Sequence, residues 1–574
     1  MINKFKFPLI SFICFSALFL PLIIDQRLPD NNSTWFGISQ FNMYYAKLFG
    51  TQGGLGSYLF PSPSILWSDS FLMHFPLYAL YKIMGINEFY SYWLYLISIF
   101  TINSSSLYLL STQYLKSKTS QILCVVTFCC SNFTFGNIGD PPALFYAFIF
   151  LTLYHLNKYK EINSKSSLFL AAFFAGAQVF SMAYVNFFLN LILIIYFLFN
   201  LKIFKNILLP FYSFLIVVNF AFFIPYFKNI QNQNFQKVYN NKASATLHSF
   251  NSIDEFFKKI PGNLYNKKGD LESNRSFLKM IQSIEDEKMK TYIYPFLSKE
   301  AEKLTNMADL KGAFDKKTLY HQLRKSGFIG FLVILLFFLG LKKANREFIV
   351  FSIMGILLSL GPLFYIKGSF YKTPLFYFYE FIPYFDFFRV PSRAYFIFLF
   401  AVSFIAAKGL ELIEKKWSLK TTSYLFIGFV LMENIPGPIL NYKYFDPPNE
   451  LINYLNNTKN KNVLFLPSKL GLYYTEDDKD IFPYSREYLY MNWKSYIPHS
   501  ILNGNGAYLP KTRLQLQKSI NSSDLEKLRY AHKVDIIVYY KKLKDQKNMT
   551  PYLSSSKILK KTLETDEFEI YEYN

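Results

Sequence analysis

The sequence predicts a polytopic α-helical membrane protein of about 11 transmembrane helices, with extracytoplasmic loops and a small C-terminal α/β domain. Three observations predict it. Hydrophobic residues make up 52% of the 574 positions and aromatic residues 20%. They come in runs long enough to cross a bilayer, about 20 residues each, rather than in the interrupted stripes of a soluble protein. The short loops on alternate sides of these runs are basic, the asymmetry that orients membrane proteins with positive loops inside. Beyond residue 435 the runs stop, and β-branched segments alternate with a helical one.

The first run, Phe5–Ile24, follows Lys4 and Lys6 and has no small-residue cleavage site after it; it reads as an uncleaved first helix. Further spans are expected at 89–110, 121–135, 142–156, 167–183, 186–200, 206–227, 326–341, 347–365, 393–413 and 421–435. Phe71–Met84 is too short to span and carries His74, Pro76 and Lys82, so it reads as an interfacial or re-entrant helix.

With the amino terminus in the cytoplasm, the inner loops hold Lys116 and Lys118; Lys158, Lys160 and Lys165; Lys202 and Lys205; Lys342, Lys343 and Arg346; and Lys415, Lys416 and Lys420. Every one is basic, as the charge rule demands. Residues 1–435 then form the transmembrane domain, with outer loops at 25–88, 228–325 and 366–392. Residues 436–574 form the extracytoplasmic domain. Its strands are expected at Val463–Leu466 and Val534–Tyr540, its helix at Ser523–His532, and a glycine turn at Asn503–Pro510. In the middle loop, Ser252–Lys259 and Ser283–Met289 read as helical.

The formal charge of +22 does not signify nucleic acid, because the lysines flank apolar runs instead of lining a foldable nucleic-acid module. They are topology signals that also attract anionic lipid. All four cysteines lie inside apolar runs, so neither an external disulfide framework nor zinc-ligand spacing is present. GxGxxG, Walker, HExxH and GxSxG motifs are absent, which removes nucleotide, zinc-protease and serine-hydrolase readings.

Three stretches carry a resemblance: PYFDFFRVPSRAYFIFLFAVSFIAAKGLELI from Pro383, LFPSPSILWSDSFLMHFPLYALYKIMG from Leu59, and the tail's ILNGNGAYLP with LEKLRYAHKVDIIVYY. In their order and spacing the chain resembles the GT-C superfamily of integral-membrane glycosyltransferases, and within it the YfhO-like and other bacterial branches. The resemblance implies transfer of a sugar from a polyprenyl-phosphate donor to a cell-envelope glycan at the outer face of the cytoplasmic membrane. It also implies a base aspartate in the first outer loop. Asp30 and Asp25 are the candidates here, in DQRLPDNNSTW; Asp25 also serves simply to end its helix, and Asp30 to solvate a loop beside Pro29.

An inverting transfer needs a base for the acceptor hydroxyl and cations for the leaving phosphate. Arg389 and Arg393, in FDFFRVPSR, lie on the side where the charge rule disfavours cations. A guanidinium fork matches phosphate oxygens as a lysine does not. The alternatives are a pair between Arg389 and Asp386 or Glu380, and an Arg393 that snorkels to the interface. Asp140, in GNIGDPP, either orients the acceptor, holds a divalent cation, or caps a helix. Asp69 reads as a helix cap and His74 as a satisfied interfacial histidine. The acidic run Tyr473–Asp480 reads as a solvated turn. No dedicated metal set is evident. Two further functions fit the architecture: a transporter or flippase of lipid-linked saccharide, and a non-catalytic envelope assembly protein.

Overall fold

The computed structural model describes residues 2–29, 73–138, 141–232, 235–237, 327–366, 369–382, 390–417, 420–434, 441–443, 448–458, 461–466, 500–502, 508–510, 518–520, 522–541 and 550–574. It also describes Phe41, Lys242, Ala245, Thr246, Ser249, Phe250, Tyr292, Phe385, Phe388, Gln515 and Leu516.

The helices are α1 (Ile2–Ile24), α2 (Phe75–Ile83), α3 (Glu88–Tyr114), α4 (Lys118–Cys129), α5 (Asn132–Gly136), α6 (Ala147–Ile162), α7 (Lys165–Ser181), α8 (Ala183–Phe199), α9 (Leu201–Phe204) and α10 (Leu208–Asn232). They continue with α11 (Phe331–Gly340), α12 (Arg346–Ser359), α13 (Pro374–Phe381), α14 (Tyr395–Trp417) and α15 (Lys420–Asn434). Among the described residues three stretches are long and apolar enough to cross a membrane: Lys6–Ile24, Glu88–Tyr114 and Pro391–Lys416. Outward faces are greasy throughout, with Phe169 and Phe173 on α7, Val217 and Phe220 on α10, Leu335 and Phe338 on α11, and Leu425 and Met432 on α15 all exposed. Exposed apolar surface on this scale requires lipid. The chain is a helical membrane protein.

Several helix edges differ from expectation for local reasons. The 121–135 span breaks at Cys130–Ser131, because the Ser131 side chain caps α5 by accepting from the Thr134 N–H at 3.1 Å. The 326–341 span starts only at Phe331, after Gly330 at φ +98°. The 347–365 span ends at Ser359, where Gly361 at φ +68° turns the chain into the hairpin β3 (Leu363–Ile366) and β4 (Ser369–Lys372).

The inner helices are α3 and α14. Two others close on α14 through glycine. A Cβ at Gly340 of α11 would overlap the Ile405 carbonyl, one at Gly409 would overlap the Leu336 carbonyl, and one at Gly355 of α12 would overlap the Phe398 backbone. Close backbone approach of this kind replaces the hydrophobic drive that lipid removes.

The short basic loops gather at one end of the bundle. There the Ser117 N–H donates to Glu411 at 3.1 Å, the Lys116 N–H donates to the same carboxylate, and Thr119 donates to Glu414. The Ser117 bond satisfies an orphan donor at the start of α4, and the other two tie the same turn to α14. Asn157 donates to the Tyr114 hydroxyl at 2.7 Å and accepts from Tyr196 at 2.8 Å. Lys160 donates to Asn200 at 2.7 Å.

At the opposite end the buried Glu433 carboxylate accepts from the Phe331 and Leu332 N–H groups at 3.1 Å each. Asn132 donates to the Phe328 carbonyl at 3.2 Å and to Asn434 at 3.1 Å. The loop segments at this end are stitched together. Strand β1 (Arg27–Pro29) pairs with β5 (Asn441–Lys443), and β2 (Phe235–Lys237) pairs with β8 (Tyr508–Pro510). Lys242 bridges to Glu380 at 2.7 Å, and the Tyr292 hydroxyl donates to the same carboxylate at 2.7 Å. The middle loop therefore packs on the late loop and reaches the tail.

The tail carries a five-stranded mixed sheet in the order β10 (Leu559–Glu564), β11 (Phe568–Tyr573), β9 (Ile536–Tyr540), β6 (Asn462–Leu466) and β7 (Ser500–Ile501). Strand β6 runs parallel to both its neighbours. Strand β9 is buried along its whole length, as expected of a strand covered on both faces. Asp524 caps α17 (Leu525–Tyr530), which follows α16 (Asn449–Asn456), by accepting from the Lys527 N–H at 2.9 Å. The remaining helix, α18 (Thr550–Ser554), precedes β10.

Two predictions follow from this packing. Glu564 accepts from Lys541 at 2.9 Å and from Lys561 at 2.9 Å, and these bonds, Lys541 first, hold its carboxylate down to about 2. A depressed carboxylate contributes stability above its ordinary value of 4.5 and loses it as pH falls toward the folded value. Acid unfolding of Glu564→Gln followed by circular dichroism is expected to lose that pH dependence below 4.5. Gly409→Ala is expected to destabilise the detergent-solubilised protein by about 1–3 kcal/mol through overpacking. Gly428→Ala, whose added Cβ meets nothing within 4 Å, serves as the matched control in the same thermal melt.

Candidate functional site

Among the described candidates, Arg393 lies at the corner between α7 and α8. One extended residue, Met182 (φ −162°, ψ 123°), joins the two helices. Tyr184 therefore falls in the first turn of α8. The Arg393 guanidinium lies over its ring at 5.3 Å, a cation–π contact that strengthens away from water.

Arg393 is placed by the chain before α14. Pro391 opens a single 3-10 turn, Pro391–Ala394, and the Arg393 N–H donates to the Val390 carbonyl at 3.1 Å. Proline suits this position because a first-turn N–H has no helical partner to lose. The neighbours Val390, Pro391, Ser392 and Ala394 are buried while Arg393 is half-buried, so the backbone is fixed and the charged head keeps access to a boundary. The Tyr395 hydroxyl donates to the Gly327 carbonyl, which pins α14 just beyond the arginine.

Upstream, Phe388 is fully buried among rings. Its centroid lies 5.4 Å from Phe188, 5.7 Å from Phe187, 6.2 Å from Tyr184 and 5.8 Å from Phe385. The Tyr379 hydroxyl of α13 donates to the Phe388 carbonyl. Phe385 in turn meets Phe378 at 5.6 Å. The aromatic residues of this stretch thus form a packed wall beside the arginine.

Two other segments reach the same corner. From the first loop, the Met73 N–H donates to the Phe180 carbonyl at 3.3 Å and His74 Nε2 meets Ser181 Oγ at 2.8 Å. From the Asp140 loop, the Phe145 carbonyl accepts from Gln178 Nε2 at 3.4 Å. That segment is braced by Asn103, which donates to the Leu144 carbonyl at 2.6 Å and accepts from the Tyr146 N–H at 3.0 Å. Three loops that carry candidate residues have flanks on one corner.

Of the candidates themselves, Asp25 is exposed at the exit of α1, its N–H donating to the Pro21 carbonyl at 3.1 Å. It directly precedes the β1–β5 ladder, in which Pro29 stands opposite Asn441. Asp30, Asp69, Asp140, Asp386, Arg389 and the 473–480 run lie outside the described residues. So do the helices expected at Ser252–Lys259 and Ser283–Met289 and the 503–507 part of the glycine turn. Glu380, a candidate partner of Arg389, is held by Lys242 and Tyr292; burial first, then Glu380, drives the Tyr292 hydroxyl well above its usual range. Among the described residues no three His, Cys, Asp or Glu side chains are placed to hold a metal ion.

Tyr184 and Phe187 escaped sequence reasoning, because YVNFF inside an apolar run carries no mark of a site. The available signal was the break at Met182, visible only as two adjoining hydrophobic runs. Truncation of the wall should be costly: Phe388→Ala is expected to destabilise by about 3–5 kcal/mol. Phe388→Leu, which keeps most of the volume, is expected to cost less than about 1.5 kcal/mol; thermal unfolding of the two variants compares them.

No family model matches the chain. No curated protein matches it either. Solved structures do. A cryo-EM structure of the arabinofuranosyltransferase AftD from mycobacteria aligns with 99% of this chain and 40% of its own, at a TM-score of 0.55 and 10% identity. A mutant of the same enzyme aligns with 99% and 41%, at 0.57 and 10%. The chain thus spans about two fifths of the length of these structures. At this identity the likeness establishes the fold alone, an AftD-like architecture, and nothing in it selects a YfhO-like branch.

Proposed function

We propose that this protein is a glycosyltransferase that moves a sugar from a polyprenyl-phosphate donor to a cell-envelope acceptor at the outer face of the cytoplasmic membrane. The observation that carries the reading is the guanidinium of Arg393 held over Tyr184, at a corner that also holds flanking residues of the first outer loop and of the loop before α6. The AftD-like fold supports it. On this reading the chain crosses eleven times, with the amino terminus and the basic loops in the cytoplasm, as the positive-inside rule favours. The middle loop, the late loop and the α/β tail then lie outside, where the tail recognises acceptor or partner.

The reaction is an inverting displacement. The acceptor hydroxyl oxygen attacks the anomeric carbon as its bond to the phosphate oxygen breaks. Asp30, or Asp25, takes the hydroxyl proton from the face opposite the leaving group, the geometry shared with inverting glycosidases. Polyprenyl phosphate departs with the electron pair, and Arg389 and Arg393 neutralise it through charge-assisted hydrogen bonds. Asp140 orients the acceptor, or holds a divalent cation beside the phosphate.

The test uses purified protein in nanodiscs with a panel of radiolabelled polyprenyl-phosphate pentoses and hexoses and a crude envelope acceptor. Asp30→Asn is expected to slow transfer by about 10²–10⁴-fold, the usual range for a general base. Arg389→Ala and Arg393→Ala are each expected to cost about 10²–10³-fold in turnover, as for a lost transition-state donor. Transfer that survives both Asp30→Asn and Asp25→Asn overturns the base. Lipid-linked sugar that crosses the bilayer without transfer identifies a transporter instead.

A further inference from the structure

His74 stands 107 residues from Ser181 in sequence, yet its Nε2 lies 2.8 Å from the Ser181 hydroxyl. The ring is fully buried, edge-on to Tyr95 at 5.9 Å and to Phe145 at 5.1 Å. Tyr95 also takes the ring of Phe41 at 5.0 Å, a residue of the first outer loop. The histidine thus joins the loop that carries Asp30 to the end of α7.

What lies beyond Ser181 gives this bond a consequence. Met182 is extended, which interrupts the helical hydrogen-bond pattern at the corner, and Tyr184 follows in the first turn of α8, three residues after Ser181. A buried polar bond is strongly directional and costly to leave unmade. The His74–Ser181 bond, with Met73 N–H to the Phe180 carbonyl at 3.3 Å, therefore sets where Tyr184 sits beneath Arg393.

We propose that His74 is a positioning residue: through Ser181 it locks the α7–α8 corner so that the Tyr184 ring holds the Arg393 guanidinium toward a lipid-borne phosphate. This rests on the reading of Arg393 as a phosphate ligand. A histidine that only fills space would be replaceable at the cost of stability alone. A positioning histidine, when lost, weakens phosphate binding by protein that is still folded.

The test measures binding of radiolabelled undecaprenyl phosphate to the full chain in nanodiscs, with a thermal melt of every variant. It needs no turnover and no knowledge of the sugar. Arg393→Ala is expected to weaken binding about tenfold or more, and His74→Ala and Ser181→Ala each by about tenfold, the scale on which lost supporting hydrogen bonds act on a bound group. The double variant His74→Ala/Ser181→Ala is expected to be no weaker than either single one, because both remove the same bond. His74→Gln, which can still reach the hydroxyl, is expected to stay within about threefold of wild type. If His74→Ala does not fold, Ser181→Ala and His74→Gln carry the comparison. Wild-type binding in His74→Ala or Ser181→Ala, alongside weakened Arg393→Ala, overturns the positioning role and leaves the phosphate rim standing. Wild-type binding in Arg393→Ala overturns the rim, and the role of His74 with it.

Discussion

The close approach of α11 and α12 to α14 is the constraint on which the rest depends. Helices in lipid gain nothing by hiding apolar surface from one another, so their association relies on dispersion at short range and on polar side chains. Gly340 and Gly409 face each other across the α11–α14 contact, and Gly355 gives the same proximity to α12. With both neighbours at backbone distance, α14 has little freedom to slide or tilt. The arginine one turn before its start inherits that rigidity.

Polar side chains complete the work at the two ends. A helix leaves its first N–H groups without partners, and near the hydrocarbon boundary water does not reliably supply them. Glu411 serves the start of α4 at the basic end, and Glu433 serves the start of α11 at the other. Each carboxylate comes from a neighbouring helix, Glu411 from α14 and Glu433 from α15. Each cap therefore ties two helices together while it satisfies one, and a negative charge at a helix N-terminus is favoured by the helix dipole as well.

What the sequence discloses divides along the same line. Local signals are legible: the apolar runs, the lysine-rich turns, the Asp524 cap and the β-branched core of β9 are each written within a few residues. Helix edges are less legible: the stops at Gly330 and Gly361 and the break at Ser131 all lie inside stretches that read from sequence as ordinary apolar continuity. The site is mostly written at long range. That FDFFRVPSR carries two cations beside an apolar run is readable from the sequence alone. That Arg393 rests on Tyr184, or that Ser181 answers His74, is a relation between segments with no shared pattern, and one chain carries no trace of it.

The location of that relation explains why a corner, rather than a continuous helix, lies beneath the arginine. An unbroken helix through residues 181–184 would present one face at a fixed pitch and satisfy its own backbone. The single extended residue at Met182 instead exposes the end of α7 to partners from outside it. His74 takes the Ser181 side chain, Met73 the Phe180 carbonyl and Phe145 the Gln178 amide, while the start of α8 is left to receive Phe388 and Arg393. A loop that reaches this corner is held by directional bonds to a helix, and groups fixed to helices are held more precisely than groups on loops alone. Loops drawn from distant parts of the chain can in this way be held in one arrangement with few contacts among themselves.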